Sequence, residues 1–247
     1  MGKAPRQPEA IFDSFINDYR DIFGPELISV VLYGSSARGK YVPKQSDINF
    51  LIILTELGMS NLGKALPLVS KWRKRGISVP LILAESYIIS SLKDFPIEFL
   101  AIRSSHQIIY GKDIIAHLDF DKRHVRYQCE REAKGKLLQL REHFLETGGN
   151  ARRIEALVIG SLPSFLSLFQ AVIFILDLGP VTDMERLITL VSRAAGMEKE
   201  LFRDLMAISR GRKKITAGQA VPLMEAYIEQ IRKLAGFTGR IEIAEEP

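Results

Sequence analysis

The stretch that most constrains this chain is Leu32-Tyr33-Gly34-Ser35-Ser36-Ala37-Arg38-Gly39, followed by Ser46-Asp47-Ile48-Asn49-Phe50-Leu51-Ile52-Ile53. An apolar run from Ile28 to Tyr33 stops on Gly-Ser-Ser, and a second run, Ile48 to Leu54, opens behind an acid. Near-continuous apolar runs of this length read as strands covered on both faces. The layout is strand, tight turn, short helix, loop, strand. Turn amides at a helix start bind phosphate, and Asp47 opens the second strand where a divalent cation beside that phosphate would sit. Gly34, Ser35, Ser36 and Arg38 are therefore candidates for phosphate contact, and Asp47 for metal ligation. The competing readings are an ordinary tight turn and a capping carboxylate.

The elements around this stretch can be read in order. Pro8 to Phe23 repeats Ile11, Phe12, Phe15, Ile16, Tyr19, Ile22 and Phe23 at helical spacing, and Gly24-Pro25 stops it. Leu62 to Trp72 predicts a helix whose end carries Lys71, Arg73, Lys74, Arg75 and Gly76, as helix C-termini prefer. That cluster reads as a solvated helix end, with a nucleic-acid patch built around Trp72 as the other reading. Ile77 to Ala84 predicts a third strand, and Pro80 inside it argues for an edge or a bulge. Phe95 to Arg103 predicts a short helix, and Gln107 to Tyr110, closed by Gly111, a last strand.

Beyond Asp113 the pattern is helical only. His124 to Leu145 places Val125, Cys129, Ala133, Leu137, Leu140 and Phe144 on one face and pairs Arg126 with Glu130 and Glu132 with Lys136 on the other. After the Thr147-Gly148-Gly149-Asn150 turn comes an uncharged helix, Ala156 to Leu176, with a kink expected at Pro163. Thr182-Asp183-Met184-Glu185 predicts a capping box, Glu198 to Ser209 a short helix, and Thr216 to Ala235 a last one with Pro222 in its first turn. The expected fold class is α+β: a mixed β-sheet domain with helices over 1–118, then an all-α antiparallel bundle over 119–247.

Composition narrows the setting. One cysteine, Cys129, forms no internal disulfide, which suits a reducing cytoplasm, and its helical position reads as core. The uncharged helix is as long as a bilayer span, but its glycine, serine, proline and glutamine interruptions favour a bundle core, so no membrane is expected. A net charge of +5 suits anionic partners such as nucleotides, leaves nucleic acid open, and argues against a polycationic acceptor. His106, His117, His124 and His143 lack metal-ligand spacing.

The two runs with their Gly34-Ser35 turn, Ser46-Asp47 and Asn49 resemble the signature of the nucleotidyltransferase superfamily related to DNA polymerase beta. That signature is an apolar residue, Gly-Ser, a short spacer, then Asp-x-Asp or Asp-x-Glu on the next strand. Phe95 to Leu100 and Tyr110-Gly111-Lys112-Asp113 extend the likeness toward bacterial nucleotidyltransferase-like proteins with a helical C-terminal domain. The resemblance implies an NTP held by its β- and γ-phosphates on Gly34 and Ser35. It also implies two magnesium ions on three carboxylates, with an acceptor hydroxyl attacking the α-phosphorus. Asp47 matches the first carboxylate and Asn49 stands at the second. The third falls near Val79 to Leu81, where Pro80 stands, with Glu85 about five residues on (roughly 16 Å) and Glu98 as remaining acids. The implied function is NTP binding with Mg²⁺, on a single ion held by Asp47 and Asn49, and nucleoside monophosphate transfer to a hydroxyl. The alternative is a catalytically inactive nucleotide-binding or regulatory module, a pseudoenzyme of the same fold.

Overall fold

Pro8 opens a 3₁₀ turn, Pro8–Ile11, that runs into α1, Phe12–Phe23. Phe15, Tyr19 and Phe23 lie buried on one face of α1, and Gly24, at a φ of +52°, turns the chain out of it. The strands that follow are β1 (Leu27–Tyr33), β2 (Asn49–Leu54), β3 (Leu81–Ala84) and β4 (His106–Gly111). These statements come from a computed structural model that describes residues 5–39, 41–43 and 47–243. Ser46, part of the Ser-Asp pair, lies outside the described residues.

The sheet order is β3-β2-β1-β4. β1 runs antiparallel to β2, with Tyr33 opposite Asn49, and to β4, with Tyr33 opposite His106. β3 lies parallel to β2, with Leu51 opposite Leu81. Side chains alternate across a strand, so Val30, Leu32, Phe50, Ile52 and Leu54 share the face that packs with Phe15, Tyr19 and Trp72. The Phe15 ring stacks on Phe50 at 4.1 Å between centroids and meets Trp72 edge-on at 5.1 Å. Val31, Leu51 and Ile53, on the opposite face, are fully buried too. Coverage of both faces is why the two central strands read as near-continuous apolar runs.

The third strand is shorter than expected, and two helices are new. β3 begins only at Leu81, because Pro80 has no N–H to give to a ladder, although Ser78 still donates to the Ile48 carbonyl at 3.3 Å. Two helices had no clear periodic signal, α2 (Glu56–Ser60) and α4 (Glu85–Ser91). α2 is started by the Thr55 hydroxyl, which accepts from the Gly58 N–H at 3.1 Å. Leu62–Ala65 forms a 3₁₀ turn before α3, Leu66–Arg73, and α5 spans Pro96–Arg103. Trp72 is fully buried and its Nε1–H donates to Asp18 at 2.9 Å, with Lys71 on the same carboxylate. A ring so placed cannot stack on a base, which removes the aromatic element of the nucleic-acid reading.

The chain divides into two compact units, Met1–Asp119 and Phe120–Pro247. The second contains α6 (Lys122–Glu146), α7 (Ala151–Ile175), α8 (Met184–Ala195), α9 (Lys199–Ser209) and α10 (Ala217–Thr238). α7 packs against each of the others in this unit, which explains why it carries no charge after Glu155. It is long and apolar enough to cross a membrane, yet half of its most apolar window is buried inside the bundle. Cys129 is fully buried against α7, and burial pushes its thiol up to about 12. Asp183, not Thr182, caps α8 by accepting from the Arg186 N–H at 2.7 Å, so the expected capping box does not form. A capping box not expected from the sequence joins Thr216 and Gln219, and Pro222 lies past the first turn of α10 rather than within it.

Asp121 caps α6, accepting from the Arg123 N–H at 2.7 Å, and the Arg123 side chain holds its carboxyl down to about 2. A folded-state pKa below the unfolded value means the cap stabilises fully above about pH 4, and the gain is lost as pH falls through 2. Arg123 is mostly exposed, so solvent screens the pair and the cap sets the scale. Asp121→Ala is expected to cost about 1 kcal/mol at pH 7 and almost nothing at pH 2, measured by urea denaturation followed at 222 nm.

Candidate functional site

Gly34 ends β1 at a φ of +80°, a left-handed conformation that glycine adopts without cost and that other residues resist. The chain then coils through residues 34–39, with the Arg38 N–H donating to the Ser35 carbonyl and the Gly39 N–H to that of Ser36. The Gly34 N–H donates to the Ser105 carbonyl at 3.0 Å. The N–H groups of Ser35, Ser36 and Ala37 meet no acceptor among the described residues. Three successive unengaged amides on one turn are donors left for an anion, and such groups bind phosphate oxygens where they converge.

Side chains hold the turn from two sides. The Ser36 hydroxyl, nearly buried, donates to the Asp47 carbonyl at 2.9 Å and fastens the turn to the approach of β2. Ser36 thus has only its N–H to offer a ligand, while Ser35 is exposed. On the other side the Arg38 Nε–H donates to the Ser105 hydroxyl at 2.7 Å, and that hydroxyl donates to the Gly34 carbonyl at 2.8 Å. Ser105, 5% exposed, stands between α5 and β4. The sequence reading missed it, since a lone Ser-Ser pair after a helix carries no motif. Only the antiparallel pairing of β1 with β4 brings it to Gly34.

Asp47 is exposed and Asn49 half-buried, two positions apart, so their side chains leave the same face. The Asn49 Nδ2 lies 3.5 Å from where a Cβ on Gly34 would stand, so the amide faces the turn directly. The turn, Arg38, Asp47 and Asn49 are therefore brought together. Continuing the β2–β3 register back from Leu51 and Leu81 sets Val79 beside Asn49. Val79 is 58% exposed, whereas Pro80 is buried. The register thus sets Val79, and not Pro80, on the face of Asn49, and Pro80 turns to the other face.

Of the two alternative acids, Glu85 parts company with this cluster. Glu85 begins α4 past the other end of β3, about 20 Å along the strand from the level of Asn49 at strand rise. It lines a separate cavity of about 780 Å³ with Lys112, Asp113 and His117. Glu98 is exposed on the first turn of α5. His106, whose Nε2 lies 3.2 Å from Asp113 and Nδ1 2.9 Å from the Arg103 carbonyl, is likewise tied to structure. Burial raises the Tyr33 phenol above its ordinary range, so it stays protonated at the end of β1. Among the described residues no three His, Cys, Asp or Glu side chains converge as a metal site.

Comparison with known proteins adds three findings. The model of the family described as a nucleotidyltransferase domain matches residues 13–148. A curated relative from Methanocaldococcus jannaschii, named "Putative protein adenylyltransferase", is 31% identical over 110 residues, covering 42% of this chain and 71% of its own. The spectinomycin adenyltransferase AAD(9) from Enterococcus faecialis, crystallised with ATP and spectinomycin, is similar in structure with a TM-score of 0.51. That match is 14% identical and covers 92% of this chain and 99% of the other, a likeness of fold.

Proposed function

Because this chain belongs to the nucleotidyltransferase domain family, we propose that the 34–39 turn binds the phosphates of a nucleoside triphosphate, with one magnesium ion beside them on Asp47 and Asn49. The observation that carries this reading is the row of unengaged N–H groups at Ser35, Ser36 and Ala37, next to Arg38 and fastened to Asp47. Magnesium is usually held through one or two carboxylates together with substrate phosphates and water. One carboxylate and one amide oxygen fit a single such ion; they do not fit the two-ion arrangement.

In nucleotidyl transfer an acceptor hydroxyl attacks the α-phosphorus and the bond to pyrophosphate breaks. When bound, magnesium offsets phosphate charge and aligns the reacting group. The chain's own part is to hold the departing phosphates on the turn amides, to place Arg38 against their charge, and to orient the cluster through Ser36. Both relatives are named as adenylyl transferases, which makes ATP the donor to test first; the name of the curated relative makes a protein hydroxyl the first acceptor. A second reading is a nucleotide-binding module without transfer. Asn49 and Val79, neutral at the two positions where acids would complete a two-ion site, favour it.

Titration with ATP and GTP in the presence of Mg²⁺, by calorimetry, is expected to show binding of ATP. Heat and thermal shift absent with every NTP would refute the site. Label from [α-³²P]ATP appearing on protein supports transfer, whereas binding without label or pyrophosphate release supports the second reading.

A further inference from the structure

We infer that Ser105 is a positioning residue for the phosphate turn, fixing Arg38 so that it meets a triphosphate with the two Nη atoms of its guanidinium. The inference rests on the nucleotide-binding reading of the turn. Arg38 is an exposed side chain, and an exposed arginine ordinarily samples many rotamers, whose loss weakens any contact it makes. Here its Nε–H is held at 2.7 Å by a hydroxyl that is itself nearly buried and aimed by a 2.8 Å bond to the Gly34 carbonyl.

The consequence is geometric. A guanidinium grips phosphate either side-on, through Nε and one Nη, or end-on, through both Nη atoms. With Nε engaged by Ser105, the end-on edge is the one presented. No partner of the Nη atoms is found among the described residues. Ser105 also accepts the Gly34 N–H through its own carbonyl, so one residue sets both the start of the turn and the direction of its cation. The backbone bond persists in any substitution of Ser105, so removing the hydroxyl is expected to release Arg38 without undoing the turn. Lysine cannot stand in for Arg38, because its three donors share one nitrogen, so no separate nitrogen can be held by Ser105 while another meets the phosphate.

The test uses the full chain, Mg-ATP as probe, and three variants. Ser105→Ala is expected to weaken ATP about tenfold, the scale of a hydrogen bond to a charged group. Ser105→Thr, which keeps the hydroxyl, is expected to retain most of the affinity, and Ser105→Ala with Arg38→Ala to bind no more weakly than Arg38→Ala alone. A spectroscopic readout stands apart from nucleotide binding: the Arg38 Nε–H resonance should be slow to exchange in the wild type and in Ser105→Thr, and lost in Ser105→Ala. Wild-type affinity in Ser105→Ala, strictly additive losses in the double variant, or an Nε–H signal unchanged by Ser105→Ala would each overturn the inference. If the wild type binds no nucleotide while the resonance behaves as stated, it is the function of the turn that fails and not the positioning of Arg38.

Discussion

Replacing Gly111 with alanine is expected to remove more stability than any other single methyl addition considered for this chain, more than about 3 kcal/mol. Gly111 closes β4 opposite Ser29, at a φ of +79°. A Cβ there would stand 2.0 Å from the Ile28 carbonyl oxygen and 3.0 Å from its carbon. Both are backbone atoms of the central strand β1, so no side chain can rotate away to make room. Relief requires β4 to leave β1, and with it the segment that carries Ser105. Trp72, the single tryptophan, is fully buried in this unit, so its fluorescence reports the loss directly in a denaturant titration. Gly135 provides the contrast. It lies exposed within α6, and a Cβ would meet nothing within 4 Å, so Gly135→Ala is expected to stabilise the helix by up to about 1 kcal/mol. Comparable losses in both variants would show that the close approach at Ile28 does not govern this sheet.

Asp47→Ala is expected to abolish the magnesium-dependent part of ATP binding, an effect of at least about tenfold, since even residues supporting a metal ligand are worth that much. Asp47 is exposed, and no partner of its carboxylate is found among the described residues, so the substitution should leave the fold intact. The Trp72 transition should therefore be unchanged. The opposite experiment adds charge. Asn49→Asp with Val79→Asp places acids at the two neighbouring positions that the register sets beside each other, and is expected to raise Mg²⁺ affinity about tenfold or more. Pro80→Asp would put a carboxylate on the buried side, where an unpaired charge is costly, and is expected to destabilise instead. Calorimetry of Mg²⁺ with and without ATP reads both results. Should the Asn49 and Val79 pair leave metal affinity unchanged, the assignment of Val79 to this site would be wrong.

Much of the architecture was legible before any coordinates. The runs at Ile28 to Tyr33 and Ile48 to Leu54 announced two covered strands, and Gly34-Ser35 announced the turn between them. Helical spacing located α1, α6 and α7, because a long amphipathic or uncharged segment can be buried in few ways. What was illegible was local and short. α2 and α4 are too brief to show a period, and their starts depend on Thr55 and on the end of β3. At α8 both Thr182 and Asp183 fit a cap, and only the position of the first helical turn decided for Asp183.

The chemistry of the site divides along the same line. The chain sequence determined which groups are available: a Gly-Ser turn, one arginine, one aspartate, and an asparagine where an acid would complete the pattern. These follow from covalent order, since a turn and the strand after it are near neighbours in the chain. The tertiary structure decided which distant residues join them. Strand register assigned Val79 rather than Pro80 to the face of Asn49, and sent Glu85 to the other end of the sheet. The pairing of β1 with β4 brought Ser105 to Gly34 and Arg38 across a separation that no local pattern encodes. Register is a collective outcome of burying two apolar faces at once, and a shift of one residue would invert every side chain. That is why the neighbours of this turn could be known only from the folded sheet.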